Sequence, residues 1–387
     1  MTVWFQPPRL RVSEENEAEP RHATWLELFY DLVFVVAVSQ LAHNLSKDVS
    51  IAGFFSFSAL FVPLWWTWIG TTFYANRFDS DTFGQRLLVG VQMLAVAALA
   101  VNVHHGLGST SSGFALSYAV ARIVLVLEYL WAGWHIPVAR GLTTYYAKGF
   151  AIAAFFWLIS AFVPIPIRFV LWGIGLAVDF ATPLTAQRFQ RNLLPHAEHL
   201  PERFGLFTII VLGEAIIAVV NGVAEMEWQW MSAVSAVCGF LIAFSLWWIY
   251  FENVSGSALE TIKDSGKLAS LQVWLYVHLP LVIGLAATGV AVEHVIASEP
   301  SLALSTPERW LLCGSVALCC FALSILHRTG VIFYCKARTK HRLGAVAILL
   351  AVAIAGNNLL PLSAIAIVAI VCIAQVILDL YQGRPQV

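Results

Sequence analysis

Trp25-Leu26-Glu27-Leu28-Phe29-Tyr30-Asp31-Leu32-Val33-Phe34-Val35 opens a stretch apolar enough to cross a bilayer, yet it carries two carboxylates one helical turn apart. A charge deep in a membrane helix costs roughly 2.5 to 3.5 kcal/mol on insertion scales, so such residues face a bundle interior, a partner or a water-filled cavity. The i, i+4 spacing sets Glu27 and Asp31 on one helix face, able to act as a cluster. Outward from this stretch, similar apolar runs recur near 25–44, 51–75, 84–105, 113–135, 145–163, 167–187, 203–222, 228–250, 269–296, 307–327, 343–356 and 359–381, the eleventh being the shortest. Each approaches the roughly 20 residues that a spanning helix needs. Only brief polar turns and breaks such as Pro164-Ile165-Pro166 separate them, so no linker is long enough for a soluble domain.

Composition points the same way. With 59% hydrophobic residues, 12% charged residues and a mean hydropathy of +0.77, the 387-residue chain reads as an all-α polytopic membrane protein of about 12 transmembrane helices, with the lipid bilayer as its first partner. The net charge is -1 and the basic residues are scattered, which excludes nucleic-acid binding. Six cysteines show no CxxC pair and read as small buried hydrophobes. Residues 1–24 form a polar, acidic tail without the basic and apolar regions of a cleaved signal, so the first span is expected to serve as its own insertion signal.

Lysines and arginines favour the cytoplasmic side of short loops. Eighteen of the 22 fall on the N-terminus and every second loop, against Lys47, Arg168 and Arg309 on the opposite side, which predicts both termini in the cytoplasm and localisation in the cytoplasmic (inner) membrane. The chain also divides by weak internal similarity. Glu27 to Val36 matches Glu202 to Val211, Trp65-Trp66-Thr67-Trp68-Ile69 matches Trp247-Trp248-Ile249, and Val178-Asp179-Phe180 matches Leu378-Asp379-Leu380. The expected organisation is two parallel six-helix repeats in one integral bundle, 25–195 and 196–387, related by an axis along the membrane normal.

These same residues resemble the bacterial low temperature requirement protein A (LtrA) family along nearly the full length. The matching stretches are Trp25 to Val35, Thr72 to Asp81, His199 to Glu214, and Tyr276-Val277-His278-Leu279-Pro280-Leu281 with Glu293 downstream. The resemblance implies a multi-pass cytoplasmic-membrane protein linked to growth in the cold, without a settled substrate or reaction.

Placed by depth, the polar residues fall into groups. The inner half holds Glu27 and Asp31, then Asn76, Arg77 and Asp79 at the end of the second span, His199, Glu202 and Arg203 at the start of the seventh, and His278 two to three turns into the ninth. Asp179 and Glu214 lie near the midplane, with Arg122 and Glu128 inside the fourth span, and His104-His105 and Glu293-His294 occupy matching positions at the outer ends of the third and ninth spans. Two like charges in a low dielectric cannot both ionise cheaply, so one of Glu27 and Asp31 should hold a proton unless Arg77, Arg203, Arg122 or a metal compensates. The alternative is a structural ion-pair network built by Arg77 and Arg203. His199 and Glu202, with Glu27, Asp31 and His278, offer weak oxygen and nitrogen ligands for a metal, without an HExxH or paired Glu-x-x-His motif, and no cofactor is predicted. The tryptophans at helix ends (Trp65, Trp66, Trp68, Trp131, Trp134, Trp228, Trp230, Trp247 and Trp248) read as an interfacial belt.

The function expected from this pattern is transport, with the Asp/Glu/His cluster binding a proton or cation and a small solute moving with it. Two other readings compete: an intramembrane enzyme using the same groups as metal ligands or general acid and base on a lipid-borne substrate, and a non-catalytic membrane scaffold or regulator.

Overall fold

The computed structural model describes residues 7–10, 23–79, 82–191, 193–195, 199–225, 230–254, 268–329 and 336–382. Among the described residues the fold is all-α apart from one short strand pair. In order, the helices are α1 (Trp25–Lys47), α2 (Ile51–Arg77), α3 (Phe83–Asn102), α4 (Ser111–His135), α5 (Arg140–Ser160), α6 (Ile167–Thr185), α7 (Gln187–Gln190), α8 (His199–Glu225), α9 (Trp230–Val254), α10 (Leu268–Ala297), α11 (Thr306–Thr329), α12 (Lys336–Ala355) and α13 (Pro361–Gln382). Helices prevail because a backbone in hydrocarbon must satisfy its own hydrogen bonds, and a helix does so within one segment.

Eleven helices among the described residues are long and apolar enough to cross a membrane. The exceptions are the four-residue α7 and α12, whose first two turns carry Lys336, Arg338, Lys340, His341 and Arg342. The expected span at 343–356 is therefore the apolar end of a longer helix. That end, 343–355, rises roughly 20 Å at 1.5 Å per residue, short of the hydrocarbon core of about 30 Å. Large exposed side chains such as Phe29, Leu32, Val36, Leu94 and Val101 form a lipid-facing surface.

The residues cluster into two compact units, Met1–Leu41 with Ala59–Phe204, and Ala42–Ser58 with Gly205–Val387. In the first, α3 packs on α4, α4 on α5 and α5 on α6. Its core is aromatic around Tyr74, Phe78, Tyr129, Tyr146 and Phe150. Residues Arg9–Leu10 of the polar N-terminal segment pair antiparallel with Phe78–Asp79, Arg9 opposite Asp79, as strands β1 and β2. In the second unit α10 packs on α11, α11 on α12, and α9 on α13. There Gly289 of α10 brings the helix against α8: a Cβ at that position would lie 2.8 Å from Ala215 Cα. Small residues allow this backbone approach, which supplies packing energy where lipid gives no hydrophobic drive between helices.

The tryptophan reading needs a correction. Trp65, Trp66 and Trp68 are buried inside the first unit, not in an interfacial belt. Trp66 stacks on Phe180 with ring centroids 4.1 Å apart, and Trp68 packs edge-on against Phe204. Trp134 and Trp230 are exposed as a belt requires. Trp228 and Cys335 lie outside the described residues.

Candidate functional site

Helices α1, α2 and α8 each present polar side chains at a spacing that keeps them on one face, and the first unit brings these faces together. Glu27 begins the site in the first turn of α1. Thr24 N donates to Glu27 Oε2 at 2.8 Å and Thr24 Oγ1 does so at 3.1 Å, while Glu27 N donates back to Thr24 Oγ1 at 3.3 Å. This reciprocal capping box follows from the Thr-x-x-Glu order and fixes the carboxylate at the positive end of the helix.

Arg203 on α8 answers both acids. Its Nη2 donates to Asp31 Oδ1 at 2.7 Å, and its Nη1 lies 3.4 Å from Glu27 Oε1. One turn earlier, His199 Nε2 lies 3.3 Å from Glu27 Oε2 and His199 Nδ1 lies 3.3 Å from Asn76 Nδ2. With its proton on Nε2, His199 donates to Glu27 and accepts from Asn76. From α2, Trp68 Nε1 donates to Asp31 Oδ1 at 2.8 Å, two helical turns before Asn76 on the same face. Asp31, Asn76, His199 and Arg203 are each at most 2% exposed, and Glu27 is 9% exposed.

Among the described residues, Glu27 and Asp31 share the Arg203 guanidinium, and a proton on either carboxyl lowers the cost of burying both. Asp31 Oδ2 and Arg203 Nε have no hydrogen-bond partner among the described residues, although both are buried. Buried polar atoms are nearly always partnered, so an acceptor on Asp31 and a donor on Arg203 are the unsatisfied atoms of the site.

The other sequence candidates fall elsewhere. Arg77 is not a counter-ion of this cluster: its guanidinium lies over the rings of Phe73 and Tyr146, 5.3 and 5.7 Å from their centroids, and its Nε donates to the Leu193 carbonyl at 3.2 Å. Asp179 joins a separate buried group, accepting from Tyr118 Oη at 2.5 Å and lying 3.3 Å from Arg122 Nε. Glu202 stands half-buried in the first turn of α8. Asp79 contributes backbone to β2, and its side chain lies outside the described residues. Glu214, His278 and Glu293 belong to the second unit. There His278 Nδ1 donates to the Trp274 carbonyl at 2.7 Å and its Nε2 lies 3.2 Å from Tyr250 Oη, while Glu214 and Glu293 are half-buried.

Among the described residues no group of three or more His, Cys, Asp or Glu side chains converges as metal ligands would. The Arg203 guanidinium bridges the two carboxylates, its Nη1 on Glu27 and its Nη2 on Asp31.

The first unit also holds a polar group that sequence reading did not assemble. Glu128 on α4 is bonded by Gln85 and Gln92 of α3, and Gln92 is in turn bonded by Tyr30 and Thr71. The available signal was the seven-residue spacing of two glutamines on a mostly apolar helix, which puts them on one face.

The model of the family described as bacterial low temperature requirement A protein (LtrA) matches residues 22–378. An uncharacterized protein of Rhizobium meliloti (strain 1021) is 30% identical over 299 residues, which is 73% of this chain and 72% of that protein. No solved structure matches the chain.

Proposed function

Since the chain belongs to the bacterial low temperature requirement A (LtrA) family, whose name carries no substrate, we propose from the site itself that it is a transporter. In this reading it is a multi-pass protein of the cytoplasmic membrane with both termini inside. Its bundle is built from two parallel repeats, and the Glu27, Asp31, His199 and Arg203 cluster, with Asn76, binds a proton or monovalent cation whose movement is coupled to that of a small solute.

One observation carries the reading: two buried carboxylates share one arginine. A site meant only to hold helices together is better served by matched charges, because an uncompensated charge in low dielectric costs several kcal/mol. Two carboxyls that share one arginine are instead a receptor for a proton on either of them, and Asp31 Oδ2, buried without a hydrogen-bond partner among the described residues, offers an acceptor to a cation.

The test uses purified protein in liposomes, with proton flux read by an entrapped pH-sensitive dye and sodium or potassium gradients as the driving probes. Wild type should move protons or a monovalent cation, and Asp31→Asn should abolish that flux while inserting and accumulating normally. Undiminished flux in Asp31→Asn, or failure of that variant to accumulate, assigns Asp31 a structural role instead.

A further inference from the structure

Glu128 is fully buried on α4, and among the described residues no Lys, Arg or His pairs with it. Its hydrogen bonds come from neutral amides: Gln85 Nε2 lies 2.9 Å from Oε1 and Gln92 Nε2 lies 2.9 Å from Oε2. Gln92 Oε1 accepts from Tyr30 Oη at 3.2 Å and from Thr71 Oγ1, and Tyr30 Oη also reaches Thr71 Oγ1 at 3.0 Å. The titratable groups facing Glu128 are the phenols of Tyr30 on α1, Tyr74 on α2 and Tyr129 on α4. Arg122, the cation on the same helix, is engaged by Tyr118 and Asp179.

Two polar atoms around this carboxyl are buried without a hydrogen-bond partner among the described residues, Gln85 Oε1 and Tyr74 Oη. An amide plane turned by half a rotation exchanges its oxygen and nitrogen without changing its shape. Turned in this way, Gln85 places Oε1 against Glu128 Oε1, an acceptor facing an acceptor, and a hydrogen must lie between them. The 2.9 Å separation falls within the range of an O–H···O bond as well as of an N–H···O bond. It leaves room on that line for a proton and none for a metal ion, which needs about 2.0 Å or more from each oxygen. As an ion, by contrast, Glu128 would carry a whole charge into the bundle against neutral donors alone, at a cost of several kcal/mol.

We propose that Glu128 is a second proton-binding site, carrying an exchangeable proton held between its carboxyl and the Gln85 amide oxygen while Gln92 donates to the other carboxyl oxygen. Taking up the proton forms one O–H bond on Glu128 and turns one amide; the proton comes from a hydronium ion, whose O–H bond breaks and which leaves as water, and nothing is oxidised or reduced. The site shares no side chain with the Glu27 cluster and does not require that cluster to bind anything.

Infrared absorption of the purified, liposome-embedded protein at neutral pH tests this. Wild type should show the carbonyl stretch of a protonated carboxyl, shifting to lower frequency in D2O as the proton exchanges. Glu128→Gln should remove that band. Gln85→Met should move it to higher frequency by taking away the hydrogen bond, which secures the assignment if Glu128→Gln fails to accumulate. Asp31→Asn should leave it in place whatever happens to ion flux, so the two sites fail or stand separately. Absence of the band, a band that both Glu128→Gln and Gln85→Met leave unchanged, or a band inert to D2O would overturn the proposal.

Discussion

Arg203 is the residue on which the α1 carboxylates depend, and its removal and theirs should differ in effect. Arg203→Met removes the guanidinium paired with buried Asp31 and shared with Glu27, and breaking a buried pair in this manner costs about 3 to 5 kcal/mol. Asp31→Asn keeps an acceptor for Trp68 and for Arg203 and gives up only charge assistance, a loss of roughly 1 kcal/mol. Thermal denaturation of the purified variants should rank Arg203→Met far below Asp31→Asn; equal losses would remove Arg203 from the role of counter-ion. Legibility in the sequence divides along the same line. The i, i+4 pair Glu27 and Asp31 was visible because helical period alone sets both on a face, whereas His199 was paired in sequence with Glu202 and not with Arg203, its neighbour in the site. Trp68 as a donor to Asp31 and the remote placement of Arg77 were not, because helical period says nothing about which distant side chain meets which, and both Trp68 and Arg77 had other sound readings as belt and counter-ion.

At the scale of the element, the apolar runs announced the helices, and the departures come from charge and from close packing. Four basic residues and a histidine open α12, where Arg342 Nη2 pairs with Asp379 Oδ2 at 2.8 Å. A helix can carry such charges inside the protein when a partner waits, which hydropathy alone does not register. Helix approach was equally hidden, since a glycine in an apolar run has the same hydropathy whether it touches another backbone or open space. Gly289 and Gly344 give the contrast. A Cβ at Gly289 meets the Ala215 backbone at 2.8 Å, whereas nothing lies within 4 Å of one at Gly344. Gly289→Val should cost about 1 to 3 kcal/mol or more through overpacking. Gly344→Ala should be neutral or gain up to about 1 kcal/mol from helix propensity. A thermal-shift series on the two variants checks this, and an unaffected Gly289→Val would show that α8 and α10 have slack between them.

For the whole molecule, the sequence suggested halves meeting at residue 195, while the compact units exchange short segments: 42–58 clusters with the second unit and 199–204 with the first. A fragment ending at residue 195 therefore lacks His199 and Arg203, which answer Glu27 and Asp31. Expressed alone, residues 1–195 should be degraded, and co-expression with residues 196–387 should restore accumulation, as quantitative immunoblots of membranes would show. Stable accumulation of the lone fragment would mean the acids are neutralised without α8. The 172-residue separation between Asp31 and Arg203 also has a temporal side. At about 5 to 20 residues per second, the ribosome makes the arginine roughly 10 to 35 s after the aspartate. Through that interval the acids of α1 have to be neutralised by protons or wetted at the membrane surface, and biogenesis of this protein should slow where the cytoplasmic side makes either refuge scarce.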